Sequence, residues 1–267
     1  MKPKKRTLLR IKLGKIYYTI KRYIKWYFGK QDFANEINDK LLPFIISEHK
    51  TPLFRKLKDV DMWLQYNKIK NLEVALKALN RVVLYPEQTF SYWKLIGKPM
   101  RRRGYVDGMV LFYGKYGLGV GGGLCQLSNL IYWVTLHTNL TVIERHRHSY
   151  DVFPDSNRNQ PFGSGATCSF NYLDLQIKNN TAQAYQLHLF LTKEYLVGEW
   201  RSVEKSENNY EVYEKEHWIS HEYWGGYIRH NKIHRYVYDK EQKMIDDEYI
   251  TENHAIMMYQ PFLTEDT

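Results

Sequence analysis

Hydrophobic residues recur at helical spacing in two stretches of the first third of the chain. The first stripe has basic residues between its members and consists of Ile16, Ile20, Tyr23, Ile24 and Tyr27. The second consists of Ile69, Leu72, Leu76 and Leu79, and it predicts a helix over residues 68–80. Thr51-Pro52 has the order of a helix N-cap followed by a first-turn proline, which predicts a helix running toward Leu64. We therefore expect the first third to be mainly helical.

From Thr89 onward the pattern becomes typical of strands. Aromatic and β-branched residues run together or alternate over residues 90–93, 109–113, 141–143, 167–170, 173–177, 185–191 and 196–240. Gly114, Gly117 and Gly119 are expected to connect a hairpin. Between these strands, a buried helix of about 13 residues is predicted from Cys125, with its apolar positions at Leu127, Leu130, Ile131 and Val134. The pattern indicates an α+β fold, with a helical N-terminal part, a largely antiparallel sheet and one buried helix starting at a Gly-Gly-Gly-x-Cys turn.

The positive charge of the chain is concentrated at its N-terminus. Residues 1–30 hold eleven Lys and Arg and no Asp or Glu, whereas the rest of the chain has 28 basic and 29 acidic residues. A basic amphipathic arm on a nearly neutral body favours contact with an anionic membrane surface and argues against nucleic-acid binding. We predict three parts: the arm over residues 1–30, a main domain over 31–204, and an aromatic-rich β extension packed on that domain over 205–267.

Cysteine content and the arm's composition bear on the compartment. The chain has only two cysteines, Cys125 and Cys168, which favours a reducing compartment. The longest apolar stretch in the arm, residues 16–20, is shorter than a secretory signal core of about 7–15 residues. We expect a cytoplasmic protein that can also lie on the inner face of the membrane. No cofactor is expected, and no metal, because His146 and His148 lack a compelling third ligand.

The turn before the predicted buried helix is the first candidate site. Gly121, Gly122 and Gly123 allow close backbone approach, and the N–H groups of a helix start favour a thiolate and can donate to an oxyanion. Cys125 is therefore a candidate nucleophile with a depressed pKa, and Gln126 a candidate oxyanion donor. The same turn, together with Ser128, could instead bind a phosphate or carboxylate. A small, buried structural cysteine is the simpler alternative.

A polar segment after residues 142–143 supplies candidate partners for this turn. On a strand, Glu144, His146 and His148 would share one face, with Arg145 on the other. His148 or His146 could activate Cys125 as a base, and Glu144 could orient a histidine or bind a substrate amine. Glu144, Arg145 and His146 are thus substrate-binding candidates, although solvated polar residues at a strand end would look the same. Residues 121–149 are predicted to form one pocket.

Five segments resemble the VanW family in their order and spacing: Pro86–Ser91, Gly104-Tyr105, Gly121–Asn129, Glu144–Ser149 and Asp174-Leu175. The motif core spans residues 68–192. The resemblance implies an association with glycopeptide resistance of the vancomycin B type and with the cell envelope and its peptidoglycan. Gly165 stands where the family pattern has an aspartate, so the resemblance does not supply a complete Cys-His-Asp triad.

Two functions of different classes follow from these observations. One is a non-catalytic accessory protein that binds a cell-wall precursor or an envelope partner, and this is the interpretation we favour. The alternative is a cysteine-dependent enzyme that acts on a peptide or amide bond of a cell-wall precursor. A contact between the side chains of Cys125 and His148 would favour the enzyme.

Overall fold

The structure is a computed structural model and describes residues 7–54, 61–112, 115–152 and 160–261. Its helices are α1 (Leu8–Phe28), α2 (Met62–Leu79), α3 (Tyr92–Ile96) and α4 (Cys125–Leu136), with a 3-10 turn at Arg101–Arg103. Its strands are β1 (Phe44–Pro52), β2 (Val82–Leu84), β3 (Thr89–Ser91), β4 (Asp107–Phe112), β5 (Lys115–Val120), β6 (Thr141–Glu144), β7 (Tyr150–Asp151), β8 (Gln176–Lys178), β9 (Tyr185–Leu191), β10 (Tyr195–Ser202), β11 (Asn209–His221), β12 (Tyr227–Tyr238) and β13 (Met244–Met257). Over these residues, no helix combines the length and apolar character that crossing a bilayer requires.

The described strands form four sheets. Two have four strands, in the orders β1-β10-β9-β2 and β11-β12-β13-β7, and the smaller ones are β3-β8-β6 and β4-β5. Neighbouring strands are antiparallel except for the short parallel pairing of β7 with β13. This arrangement confirms the predicted α+β class with largely antiparallel sheets.

Helix α4 is buried at the centre of the molecule, as its sequence predicts. Its apolar residues Leu127, Leu130, Ile131 and Val134 are all in the core. The helix packs against strands β1 and β10. From β10, the fully buried Trp200 donates its indole N–H to Thr135 Oγ1 at 2.9 Å. A helix that is apolar on nearly every side needs protein on nearly every side, which the two strands and the loops around them supply.

Helix α1 lies on the body through a narrow face. Arg22 and Trp26, one helical turn apart, are its buried residues. Lys94 of α3 donates to the carbonyl oxygen of Trp26 at 3.1 Å and lies 5.1 Å above the ring of Tyr27. The helix predicted from the basic amphipathic stripe is therefore present, and its two buried residues lie outside that stripe.

The prediction of a helix starting at Thr51-Pro52 is wrong. Both residues belong to strand β1, where they pair with Leu196 and Tyr195 of β10. β1 is the edge strand of its sheet, and Pro52 is its last residue, so the missing N–H of proline removes no ladder hydrogen bond. The helix of this region is α2, which begins at Met62.

Several strand predictions also need correction. Gly117 and Gly119 pair with Val110 and Gly108 inside the β4-β5 ladder and so do not form the connection, while Gly114 lies outside the described residues. The strand predicted over residues 90–93 ends at Ser91, because the Ser91 hydroxyl accepts from the Lys94 N–H at 3.3 Å and caps α3. Residues 167–170 form no strand. β13, a strand of 14 residues, lies in the predicted β extension but beyond residue 240, where the individual strand predictions end.

Candidate functional site

The Gly121–Gly123 turn is fixed by close backbone packing. Gly121 and Gly123 have φ values of 78° and 93°, a region that favours glycine. A Cβ on Gly122 would lie 2.6 Å from the backbone nitrogen of Met109 and nearer still to the Gly108 carbonyl. The glycines are thus required by the fold itself, whereas their predicted role in cradling a ligand stays a prediction.

A buried asparagine holds this turn from the side of α2. Asn71, with no exposed surface, donates through Nδ2 to the carbonyl oxygens of Gly122 and Val106 at 2.9 and 3.1 Å. Its Oδ1 accepts from the Val106 N–H at 2.9 Å. These bonds give partners to the Gly122 carbonyl and the Val106 N–H, and a second donor to the Val106 carbonyl, which also accepts from the Gly121 N–H at 3.0 Å.

The first turn of α4 uses much of its own hydrogen-bonding capacity. The amides of Gln126 and Leu127 donate at 3.1 Å to the carbonyl oxygens of Gly123 and Leu124. The Gln126 side chain donates through Nε2 to Thr51 Oγ1 at 2.8 Å and to the Pro52 carbonyl oxygen at 2.9 Å. Both hydrogens of the amide are thereby used on β1, so the geometry gives no support to an oxyanion donor at Gln126.

Ser128 is likewise occupied within the fold. Its side chain has no exposed surface, and its hydroxyl donates to the Ala166 carbonyl oxygen at 2.7 Å. This bond attaches α4 to the segment that carries Cys168. Ser128 is therefore a buried linking residue in this structure, and contact with a substrate stays an untested prediction.

The two cysteines lie close together under this turn. Cys125 Sγ is 3.9 Å from the Cys168 carbonyl oxygen. Burial raises the pKa of the Cys125 thiol, and only the contact with the Cys168 carbonyl opposes it. Burial also raises the pKa of Cys168 well above its ordinary value, and the nearby Cys125 thiol adds to this effect. The expected depressed pKa of Cys125 is therefore wrong, because desolvation outweighs any stabilisation of a thiolate by the helix start.

His148 does not meet Cys125 through a hydrogen bond anywhere in the described structure. Burial lowers the pKa of His148, and the neighbouring Arg147 lowers it further. The pairing of thiol and imidazole thus stays a prediction without a contact to support it.

Two cavities found among the described residues, with volumes of about 340 and 450 Å³, lie away from the glycine turn. The first is beside His49, Trp133 and His137.

Glu144 is the centre of the charged network in this region. It accepts from Arg22 Nη1 at 2.6 Å and from Nη2, which makes the pair bidentate. His146 Nε2 lies 3.1 Å from its Oε1, and the Asp174 N–H donates to the same oxygen at 3.2 Å. Burial opposes ionisation of Glu144, but the bonds from His146 and Arg22 prevail and lower its pKa to about 2.

Asp174 forms the buried end of the network. It has no exposed surface and accepts from the Ser91 hydroxyl at 2.6 Å and the Trp93 N–H at 3.0 Å. Arg22 Nη1 lies 3.9 Å from its Oδ2. Burial raises the pKa of Asp174 in spite of these partners. The guanidinium of Arg22 is therefore shared between the carboxylates of Glu144 and Asp174.

Arg145 belongs to a different set of contacts. It donates through Nε to the Gly165 carbonyl oxygen at 2.9 Å, and through Nη1 to Thr251 Oγ1 and Asn253 Oδ1, both at 3.1 Å. These bonds join the segment around Gly165 to β13. Strand β6 ends at Glu144, so residues 145–148 do not continue the strand on which Arg145 was predicted to face away from Glu144. The contacts above occupy the Arg145 guanidinium within the fold.

Comparison with known proteins identifies the family of this chain. A family model described as VanW like protein matches residues 67–201. The chain belongs to the VanW family.

Two curated relatives show how far the likeness extends. The chain is 38% identical over 167 residues to the vancomycin B-type resistance protein VanW of Enterococcus faecalis strain ATCC 700802 / V583, covering 62% of this chain and 61% of that protein. It is 29% identical over 113 residues to the uncharacterized protein YoaR of Bacillus subtilis strain 168, covering 42% of this chain and 36% of that protein. The chain thus spans less than two thirds of either relative. No solved structure matches the chain.

Two residues of the network around Glu144 were not predicted from the sequence to belong to the site. Arg22 is one of the basic residues between the members of the N-terminal apolar stripe, and its partner Glu144 lies 122 residues further along the chain. Asn171 is fully buried, accepts from Arg22 Nε at 2.9 Å through its backbone, and has no hydrogen-bond partner for its side-chain amide among the described residues. No local pattern marks either residue, because both roles arise from contacts between distant segments.

The thiols of this VanW protein are expected to be unreactive in the folded state. Both cysteines are only half-buried by exposed surface, but desolvation raises both pKa values, so Cys125 and Cys168 should be alkylated by iodoacetamide at neutral pH at least about tenfold more slowly than after unfolding. Mass spectrometry of peptides from pulse-labelled native and urea-unfolded protein measures both rates. Rapid labelling of native Cys125, slowed by His148→Ala, would contradict this expectation and would support a thiol and imidazole pair.

Proposed function

We propose that this chain is an accessory protein associated with glycopeptide resistance of the vancomycin B type, acting at the cell envelope. The association rests on the 38% identity to the Enterococcus faecalis protein whose name states that role. It acts, in this proposal, by binding a cell-wall precursor or an envelope partner, without thiol catalysis. Its two free cysteines support a cytoplasmic location, peripheral on the inner face of the membrane.

One observation favours binding over catalysis. Burial raises the pKa of Cys125, and within the described residues no hydrogen bond joins its thiol to an imidazole. A protonated thiol without a base is a poor nucleophile. The alternative, a cysteine-dependent enzyme, therefore has no geometric observation in its favour.

The accessible edge of the Glu144 network is the binding surface that we propose. The side chains of His146 and Lys25 are 36% and 45% exposed, and both lie within 4 Å of the Glu144 carboxylate. Lys25 also donates to Gln176 Oε1 at 3.1 Å. An ammonium and an imidazole, each within 4 Å of the same carboxylate and each partly exposed, suit a carboxylate or phosphate group, which cell-wall precursors carry.

The test is binding of the soluble UDP-linked muramyl pentapeptide, measured by isothermal titration calorimetry. Wild-type protein and Cys125→Ser should bind within about twofold of one another, whereas His146→Ala should bind about tenfold more weakly, or about 1.4 kcal/mol. His221→Ala, which removes an exposed imidazole on the distant strand β11, is the matched control and should bind like the wild type.

Mass spectrometry of the precursor after incubation separates the two functions. An unchanged precursor mass, together with the affinities above, supports binding. Cleavage of the precursor by the wild type that disappears in Cys125→Ser would replace the proposal with the enzyme. If the wild-type protein does not bind the precursor, the proposal that this precursor is the ligand is wrong.

A further inference from the structure

Helix α1 has one face toward the body and another toward the outside. Arg22 and Trp26 are its buried residues, and Arg22 contacts Glu144 and Asn171. At about 100° per residue, Leu13 lies about 180° from Arg22, and Ile20 and Ile24 lie about 160° from it on either side. The two faces therefore point in opposite directions.

The outward face is apolar and exposed. Leu13, Ile20 and Ile24 are 58%, 55% and 54% exposed. Six other large apolar or aromatic side chains within about 80° of Leu13 are exposed as well, namely Leu9, Ile16, Tyr17, Tyr23, Tyr27 and Phe28. Leu8 and Tyr18 are also exposed, but they lie about 140° from Leu13. Among the described residues nothing covers this surface. A stripe of this length on a single helix exceeds the scattered apolar residues of an ordinary protein surface and marks an interaction site.

The charges beside this face select the partner. Residues 1–30 carry eleven Lys and Arg and no Asp or Glu. Arg10 and Lys21 are exposed on one side of the apolar stripe, and Lys12 on the other. An apolar stripe between two basic borders matches a bilayer surface, where acyl chains lie beneath anionic headgroups. A protein partner would have to supply both an apolar groove and acidic rims.

We infer that α1 is an interfacial helix that binds an anionic membrane surface through the face centred on Leu13, Ile20 and Ile24. The helix lies parallel to the bilayer, with its apolar side chains among the acyl chains and with Arg10, Lys12 and Lys21 at the phosphates. Because the docked face points the opposite way, lipid binding leaves the contacts of Arg22 and Trp26 intact. The inference deepens the peripheral membrane location in the proposed function, but it does not depend on the binding of a cell-wall precursor.

Vesicle co-sedimentation of the full chain tests this inference. Vesicles of phosphatidylcholine with one quarter phosphatidylglycerol should bind the wild type at least about tenfold more strongly than pure phosphatidylcholine, and high salt should weaken the binding. The variant Ile20→Glu/Ile24→Glu should lose at least about tenfold of the anionic-vesicle affinity, because it puts two acids on the apolar face. Both substitutions lie on exposed helix positions, so circular dichroism should show an unchanged fold.

The matched control is Met244→Glu/Ile245→Glu, which adds the same two charges at two side chains of β13 that are 53% exposed. It should bind vesicles like the wild type. Equal wild-type binding to neutral and anionic vesicles would overturn the inference, as would full binding by Ile20→Glu/Ile24→Glu. A dimer in sedimentation analysis that this variant dissociates, with no wild-type binding to vesicles, would assign the face to a second copy of the chain and also overturn it.

Discussion

Replacing Arg22 by leucine is expected to lower the free energy of unfolding by about 3 kcal/mol or more. The substitution leaves Glu144 and Asp174 without their shared guanidinium, and their side chains are only 16% and 0% exposed. Lys25, 3.9 Å from Glu144, can compensate for part of the lost charge. Urea unfolding followed by circular dichroism measures the loss. Because Arg22 also attaches α1 to the body, tryptic cleavage within α1 should become faster.

Lys21→Leu is the control for this substitution. Lys21 is the neighbouring basic residue of the same helix and is exposed, so its loss should change the free energy of unfolding by no more than about 0.5 kcal/mol. If Arg22→Leu unfolds at the same urea concentration as the wild type and resists trypsin equally, the Arg22 bridge does not stabilise the protein.

The bonds of Glu144 with His146 and Arg22 make the stability of the protein depend on pH. The pKa of Glu144 is lowered from 4.5 to about 2 in the folded protein, so its stabilisation is complete above pH 4.5 and is lost as the pH falls toward 2. At about 1.4 kcal/mol per pH unit, the loss is worth about 3 kcal/mol. Burial raises the pKa of Asp174, which acts in the opposite sense. The difference between wild type and Glu144→Gln therefore isolates Glu144, and it should shrink between pH 4.5 and 2.

Replacing Gly122 by alanine is expected to destabilise the protein by about 3 kcal/mol. The added Cβ would meet the backbone of Gly108 and Met109, and backbone cannot move aside as a flexible side chain can. Asn71 holds the Gly122 carbonyl in place, so the turn cannot shift without breaking a buried hydrogen bond. Thermal and urea unfolding measure the effect. Because this turn directly precedes α4, which begins at Cys125, labelling of the cysteines should also become faster in this variant.

Gly117→Ala is the matched control for this position. Gly117 lies in the adjacent strand β5, and a Cβ there would meet no atom within 4 Å. Its substitution should change the free energy of unfolding by no more than about 0.5 kcal/mol. Similar effects of the two substitutions would show that close packing does not explain the glycine at residue 122.

The sequence by itself determined the elements that depend on local spacing. The repeats of apolar residues three and four positions apart predicted α1, the second half of α2, and α4 with its first residue at Cys125. The run over residues 185–191 predicted β9. These succeed because the periodicity of a helix or strand is a property of neighbouring residues. The local signal of Thr51-Pro52 failed because pairing with β10 outweighed helix-start propensity.

Only the tertiary structure decided the chemistry of the candidate site. The sequence placed Cys125 at a helix start, but the pKa of its thiol depends on what covers it, and burial beside Cys168 reversed the expected shift. Likewise the arm's sequence predicted an amphipathic basic helix, but not that Arg22 would be its inward residue. An ion pair between residues 122 positions apart cannot be predicted from local spacing, because the two residues become neighbours only when distant segments pack together.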